Sequence, residues 1–137
     1  MKKVLLLLIV GSILANYMMT SHKPQLLTEP IDQVKTINIY IDGQLKECCY
    51  SQTQQDQNVI ESFELFCNNA TSMTVRDGIG KDIKYYFEVI YFDDNKDILI
   101  LSEARNALFR IESLDRVIMY NDDKREIYQI FFEPYVE

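Results

Sequence analysis

The segment Val34–Ile41 constrains the fold of this chain most, because it alternates with Ile37, Ile39 and Ile41 on one face and Thr36, Asn38 and Tyr40 on the other. Asp42 and Gly43 follow it, and this pair favours a two-residue type I′ turn, in which both positions need a positive φ. The return strand is then Gln44–Tyr50. The pattern predicts a β-hairpin with the three isoleucines of its first strand on the buried face.

The register of this hairpin decides where its two adjacent cysteines point. In a regular ladder Ile37 faces Cys48, so Cys48 joins the buried face and Cys49 points to the opposite side. A slip of one residue would exchange the two cysteines.

An amphipathic helix is predicted after the hairpin. Asp56 is a plausible N-cap, and one face at helical spacing is apolar: Val59, Ile60, Phe63, Phe66, Cys67 and Ala70. Such a face is typical of a helix that packs on a sheet.

The second half of the chain is rich in strands joined by short polar turns, which predicts an antiparallel meander. Its strands are Ile83–Phe92, Asp97–Leu101, Ala107–Glu112 and Arg116–Tyr120. Asp123 and Glu126 have the spacing of a capping box, and the apolar residues Ile127, Ile130 and Phe131 follow it before Pro134. We therefore expect an α+β fold with an antiparallel sheet of five to six strands. The order is β-β-α-β-β-β-α, with one main helix and a short C-terminal helix.

The N-terminal residues 1–15 have the pattern of an export segment. Lys2 and Lys3 precede the apolar run Val4–Val10, and Ala15 is a suitable residue for signal-peptidase cleavage. The alternative is an uncleaved N-terminal anchor, and both interpretations place the protein outside the cytoplasm, secreted or on the outer face of the cytoplasmic membrane. Residues 16–30 lack periodicity and are predicted to form a tether. Residues 31–137 then form a single domain.

Length and charge restrict the possible partners. The chain has 137 residues, enough for one core, and a formal net charge of −7. Its basic residues, among them Lys84, Arg105 and Arg110, are interleaved with acids, which indicates a solvated surface. We expect no binding to nucleic acid, and contact with a membrane only through the N-terminal segment.

The three cysteines allow two interpretations. In an exported protein a disulfide is permissible, and the register above favours a bridge between Cys48 and Cys67. Alternatively, all three are reduced and mostly buried thiols. The chain has no CxxC motif, which argues against a thioredoxin-like centre or a structural zinc site.

Residues suited to catalysis are scarce in this sequence. Its single histidine, His22, lies in the predicted tether, so we expect neither a catalytic triad nor a metal site, and no cofactor. The acidic turn 93–97 concentrates oxygen ligands, but its spacing differs from an EF-hand loop and Lys96 lies inside it. A solvated turn is the better interpretation.

The strand Ile83–Phe92 carries the candidate binding residues. One of its faces is wholly apolar, and the other presents Tyr86, Ile90 and Phe92 between charged residues, as expected of a partly exposed aromatic surface. This surface predicts a non-catalytic module that binds a protein, a peptide or a cell-wall component. Two alternatives stay open: a small secreted hydrolase that uses Asp or Glu, and a structural component of an envelope assembly.

The sequence also resembles a family of small domains of unknown function that occur in exported proteins and lipoproteins of low-GC Gram-positive bacteria. The resemblance covers most of the chain after residue 30, from "IDQVKTINIYIDG" through "NNAT", "YYFEVIYF" and "DILIL" to "REIYQIFF". It implies an exported α+β domain and assigns no catalytic or binding residue. Many members carry a lipid-attachment cysteine, which is absent here after the apolar run.

Overall fold

The computed structural model describes residues 25–51, 53, 56–68, 70–73, 83–113 and 115–136. They form one seven-stranded antiparallel sheet, one main helix and a short C-terminal helix, so the predicted α+β class is confirmed. The strands are β1 (Val34–Ile41), β2 (Gln44–Tyr50), β3 (Thr71–Met73), β4 (Tyr85–Tyr91), β5 (Lys96–Leu101), β6 (Ala107–Ser113) and β7 (Arg116–Asn121). The helix α1 spans Gln57–Asn68.

The strand order in the sheet is β2-β1-β4-β5-β6-β7-β3, and β4 to β7 form the predicted meander. The chain passes through α1 from β2, at one edge, to β3, at the other. Strand β3 has only three residues, all exposed, and it pairs with β7. The sequence did not predict it because three residues are too few for an alternating pattern.

The hairpin of β1 and β2 begins as predicted and then departs from the regular register. Ile41 pairs with Gln44, but an irregularity between Ile39 and Tyr40 places Cys48 opposite Asn38, and a second one between Ile37 and Asn38 places Tyr50 opposite Ile37. A bulge inserts an extra residue into one strand and so reverses the side to which later side chains point. The predicted position of Cys48 on the buried face is therefore wrong: Cys49 is buried there, and Cys48 is half-buried.

One face of the sheet, here called the covered face, packs against α1 and the C-terminal helix. Three helix residues, Ile60, Phe63 and Phe66, are buried in this layer, as the apolar stripe predicted. Phe87 of β4 lies at its centre, with its ring centroid 5.2 Å from those of Phe63 and Phe131. Both pairs are edge-to-face, a favourable arrangement for aromatic rings. The Asp56 carboxylate accepts a hydrogen bond from the Asn58 backbone N–H at 3.0 Å, which confirms it as the N-cap of α1.

Residues 25–30, here called the strap, belong to the folded domain. The tether predicted for residues 16–30 is therefore too long at its C-terminal end, while residues 1–24, including the export segment and His22, lie outside the described residues. Leu26 and Leu27 are buried in the core. Arg110, expected on a solvated surface, is buried and donates from Nε to the Leu26 carbonyl at 2.6 Å. Two adjacent leucines give no periodic signal, so their burial was not apparent.

The C-terminal helix uses a different cap and a different face from those predicted. Asp122, not Asp123, accepts a hydrogen bond from the Ile127 backbone N–H at 2.7 Å. Residues Tyr128–Phe132 form a π-helical turn. Tyr128 and Phe132 are buried with Ile127 and Phe131, and Ile130 is exposed.

Candidate binding surface

The face of the sheet opposite the covered face, here called the open face, carries an apolar row that crosses six strands. Cross-strand pairing aligns its members side by side, in the order Leu45, Tyr40, Tyr86, Ile100, Phe109 and Met119. We call these six residues the open-face row. At its far end Met119 pairs with Thr71 of the edge strand β3. Among the described residues, no helix packs on this row.

Exposure along the open-face row is uneven. Leu45 at one end is 55% exposed, Ile100 in the middle is buried, and the other row members are half-buried. The rings of Tyr40 and Tyr86 stack in parallel, with 4.9 Å between their centroids. Burial raises the pKa of the Tyr40 hydroxyl, and the nearby Glu88 charge adds to this effect. The open-face row is thus a largely apolar strip in which two neighbouring rings are stacked.

The structure separates the three binding residues that the sequence singled out. Tyr86 belongs to the open-face row, and Ile90 lies on the same face of β4, where it is half-buried and pairs with Thr36 and Lys96. Phe92 lies beyond the end of β4, in the turn to β5, and is 48% exposed. The three residues therefore do not form one continuous patch.

The sequence did not single out the remaining row members, on β1, β2, β5, β6 and β7. Each strand shows only its own alternation, and the row appears only when strand order and register are known. The signal that could have found them is the repeated apolar residue on the less buried face of each strand.

The neighbouring rung of the open face is polar over β1 and β4. Asn38 donates from Nδ2 to the Glu88 carboxylate at 3.1 Å, and Lys96 lies 3.4 Å from the other oxygen of Glu88. Over β5 and β6 the rung is apolar, with Ile98 and Ile111 exposed; Ile111 is 57% exposed. The open-face row is therefore bordered by charge on one half and by aliphatic residues on the other.

The cysteines of the described domain are unbridged thiols. The register therefore no longer favours the predicted Cys48–Cys67 disulfide, since Cys49 is the cysteine on the buried face. Burial raises the pKa of Cys49 and that of Cys67 to about 12 each. Because the thiolate is the nucleophile, neither residue is suited to covalent catalysis at neutral pH.

The acidic turn is only partly solvated. Asp93 and Asp94 are exposed, as predicted, and Asp93 accepts a hydrogen bond from the Asn95 backbone N–H at 3.0 Å. Asp97 is 6% exposed and binds the strap: its carboxylate accepts from the Thr28 backbone N–H at 2.8 Å and from the Tyr91 hydroxyl. Among the described residues, no group of histidine, cysteine and acidic side chains is arranged to hold a metal ion.

Two carboxylates share one small cleft on the helix side of the molecule. Glu29 of the strap and Glu64 of α1 line a cavity of about 210 Å³ together with Cys67. One Glu29 oxygen is buried without a hydrogen-bond partner among the described residues. Burial raises the pKa of Glu29, and the neighbouring Asp93 and Asp97 charges raise it further. The cavity is smaller than the roughly 300–1,000 Å³ typical of ligand pockets.

Comparison with known proteins does not place this chain in a family. No protein-family model matches it, and neither a curated protein nor a solved structure is similar to it. In addition, no helix in the described part of the chain is long and apolar enough to cross a membrane.

Proposed function

We propose that this protein is a non-catalytic extracytoplasmic module that binds an apolar segment of a partner protein on its open face. The observation that carries the proposal is the open-face row, an apolar strip that crosses six strands on the face opposite α1. The location outside the cytoplasm rests on the export pattern of residues 1–15.

The dimensions of the row favour a narrow partner. Six strands spaced about 4.8 Å apart give a strip about 24 Å long. If the strip is about 10 Å wide, it offers about 250 Å² of surface, whereas stable protein–protein interfaces bury about 800 Å² on each partner. A flat pairing of two copies through the row alone would therefore be weak. A single amphipathic helix of about 16 residues matches the strip in length and width.

The charge around the open-face row indicates which residue types the polar face of such a helix would carry. The protein carries a net charge of −7, and Glu88 lies on the same face of β4 as Tyr86, two residues along the strand. A helix with basic residues on its polar face would gain both apolar contact and electrostatic attraction. Such a bound helix would pack on the open face in the same way that α1 packs on the covered face.

A synthetic amphipathic peptide tests the proposal. The probe is a 16-residue helix with one leucine stripe and lysines elsewhere, and its control has the same composition in scrambled order. Fluorescence anisotropy at physiological salt should show saturable binding of the ordered peptide and much weaker binding of the scrambled one.

Two variants assign the binding to the row. Phe109→Ser removes an aromatic residue of the row and should weaken binding more than tenfold, as expected of an aromatic anchor. Ile130→Ser removes an exposed apolar residue outside the open face and should leave the affinity unchanged. Equal binding by both variants, each with an intact thermal transition, would refute the open face as the binding surface.

A further inference from the structure

The end of the sheet where β4 begins and β5 ends holds a second concave site. It is an open cleft of about 380 Å³, lined by Lys84, Tyr85, Leu101, Ser102, Glu103 and Arg105. This volume falls in the usual range for small-molecule sites. Lys84 and Arg105 lie 21 positions apart in the sequence, so the clustering of their charges was not apparent before the fold was known.

Both cations of this cleft lie against aromatic rings. The Arg105 guanidinium is 4.2 Å from the ring centroid of Tyr128, and the Lys84 ammonium is 5.4 Å from that of Tyr85. Neither cation forms an ion pair with a described carboxylate. They are therefore held in place by rings and keep their charge available for a ligand.

The backbone presents Arg105 in an unfavourable conformation. Its φ is +64°, in the region that glycine and asparagine adopt more readily than arginine. The turn is fixed by a hydrogen bond from the Arg105 N–H to the Ser102 carbonyl at 2.9 Å and by one from the Asn106 N–H to the Ser102 hydroxyl at 3.1 Å. These hydrogen bonds fix the backbone from which the Arg105 side chain extends to the cleft.

Tyr85, which lines the same cleft, has a buried hydroxyl. Tyr85 is 4% exposed, and its hydroxyl is buried without a hydrogen-bond partner among the described residues. Buried polar groups are nearly always hydrogen-bonded, so an exception in a cleft calls for a functional explanation.

We propose that this cleft binds a carboxylate carried on a short apolar body. The Arg105 guanidinium can form two parallel hydrogen bonds to a carboxylate, in the bidentate geometry. Lys84 adds a second positive charge, and Leu101 supplies an apolar wall. Glu103 leaves the cleft with one net positive charge, which suits a monoanion better than phosphate. The carboxylate comes either from a small organic acid or from the C-terminus of a peptide. The site is separate from the open-face row and does not depend on the function proposed for it.

NMR titration of the purified protein with butanoate tests this site. Amide signals of residues 84–85 and 101–106 should shift with a dissociation constant of about 1 mM, the affinity reasonable for so few ligand atoms. Neutral butanamide should cause no shifts, and inorganic phosphate should bind more weakly than butanoate. The tripeptide Ala-Ala-Leu and its C-terminal amide distinguish the two sources, since binding by the free peptide at least as tight as that of butanoate indicates a peptide terminus.

Variants separate a built site from general attraction to positive charge. Arg105→Gln should weaken butanoate binding at least tenfold, and Arg105→Gly should do so while relieving the strained φ. The control Arg116→Gln removes a cation from the turn at the opposite end of the sheet and should leave binding unchanged. Tyr85→Phe should preserve or raise the melting temperature, because it removes an unpartnered buried hydroxyl. Unchanged butanoate binding in both Arg105 variants, or tighter binding of phosphate than of butanoate, would overturn the proposal.

Discussion

The two faces of the sheet are built from the same alternating strands but differ in how completely their apolar residues are covered. On β4, Phe87 is fully buried under two aromatic rings of the helical layer, while its neighbour Tyr86 points the other way and is half-buried. The covered face has its partners within the chain. The open face has an apolar row of similar character that no described helix covers.

This difference indicates which part of the fold serves stability and which part is available for binding. The covered face holds the fully buried core of the domain, and exposing one large apolar side chain of this core would cost about 1.5–3 kcal/mol. Exposing the half-buried residues of the open-face row costs less free energy of folding. These residues can therefore contribute to an interface with a partner instead. The comparison is open to test by substitutions at matched positions on the two faces.

The largest expected effect comes from the centre of the covered face. Phe87→Ala should lower the free energy of unfolding by about 3–5 kcal/mol, because it removes a fully buried ring and leaves a cavity beneath Phe63 and Phe131. Urea denaturation followed by far-UV circular dichroism measures this loss.

The adjacent position provides the control for this effect. Tyr86→Ala removes a ring of similar size from the same strand but from the open face, and it should cost less than half as much. A loss equal to that of Phe87→Ala would mean that the open face is covered in the folded protein, and the comparison between the faces would fail.

A smaller loss should follow from weakening the attachment of the strap. Asp97→Asn replaces a buried carboxylate that accepts hydrogen bonds from Thr28 and Tyr91, and it should cost about 1.5–3 kcal/mol, the usual range for hydrogen bonds to a charged group. Asp94→Asn changes an exposed acid three positions earlier and should stay within about 0.5 kcal/mol of the parent protein. A cost for Asp97→Asn no larger than that of the control would mean that Leu26, Leu27 and the hydrogen bond from Arg110 hold the strap without Asp97.

The sequence alone was sufficient to predict the helices and strands whose apolar residues recur with a strong period. Both hairpin strands, the apolar stripe of α1 and the meander follow from alternation or helical spacing, and these patterns reflect burial on one side. The bulges in β1 and β2 were not predictable, because a bulge changes the facing of Cys48 and Cys49 without altering the local pattern. The pattern also misplaced Ile130, because the apolar residues of this short segment fit more than one helix face.

The candidate sites were harder to predict than the fold because they arise from pairing between distant segments. Tyr86 was apparent as a partly exposed aromatic residue, but its alignment with Tyr40 and Phe109 depends on the strand order. Asp97 looked like part of a solvated turn because its neighbours are acidic. Its burial follows from the strap, whose two adjacent leucines carry no periodic signal.

The smallest expected effect concerns the pH dependence of stability, and it comes from Glu29 in the strap. Burial raises the pKa of Glu29 above its ordinary value of 4.5, and the Asp93 and Asp97 charges add to this. The folded state therefore binds the Glu29 proton more tightly than the unfolded state. The stabilisation is complete below pH 4.5 and is lost as pH rises through the folded-state pKa. Glu29→Gln should thus raise the urea midpoint at pH 7 and leave it unchanged at pH 4, whereas Glu64→Gln, at an exposed position in the same cleft, should change it little at either pH. A lower midpoint for Glu29→Gln at pH 7 would show that the Glu29 carboxylate is stabilised in the folded protein.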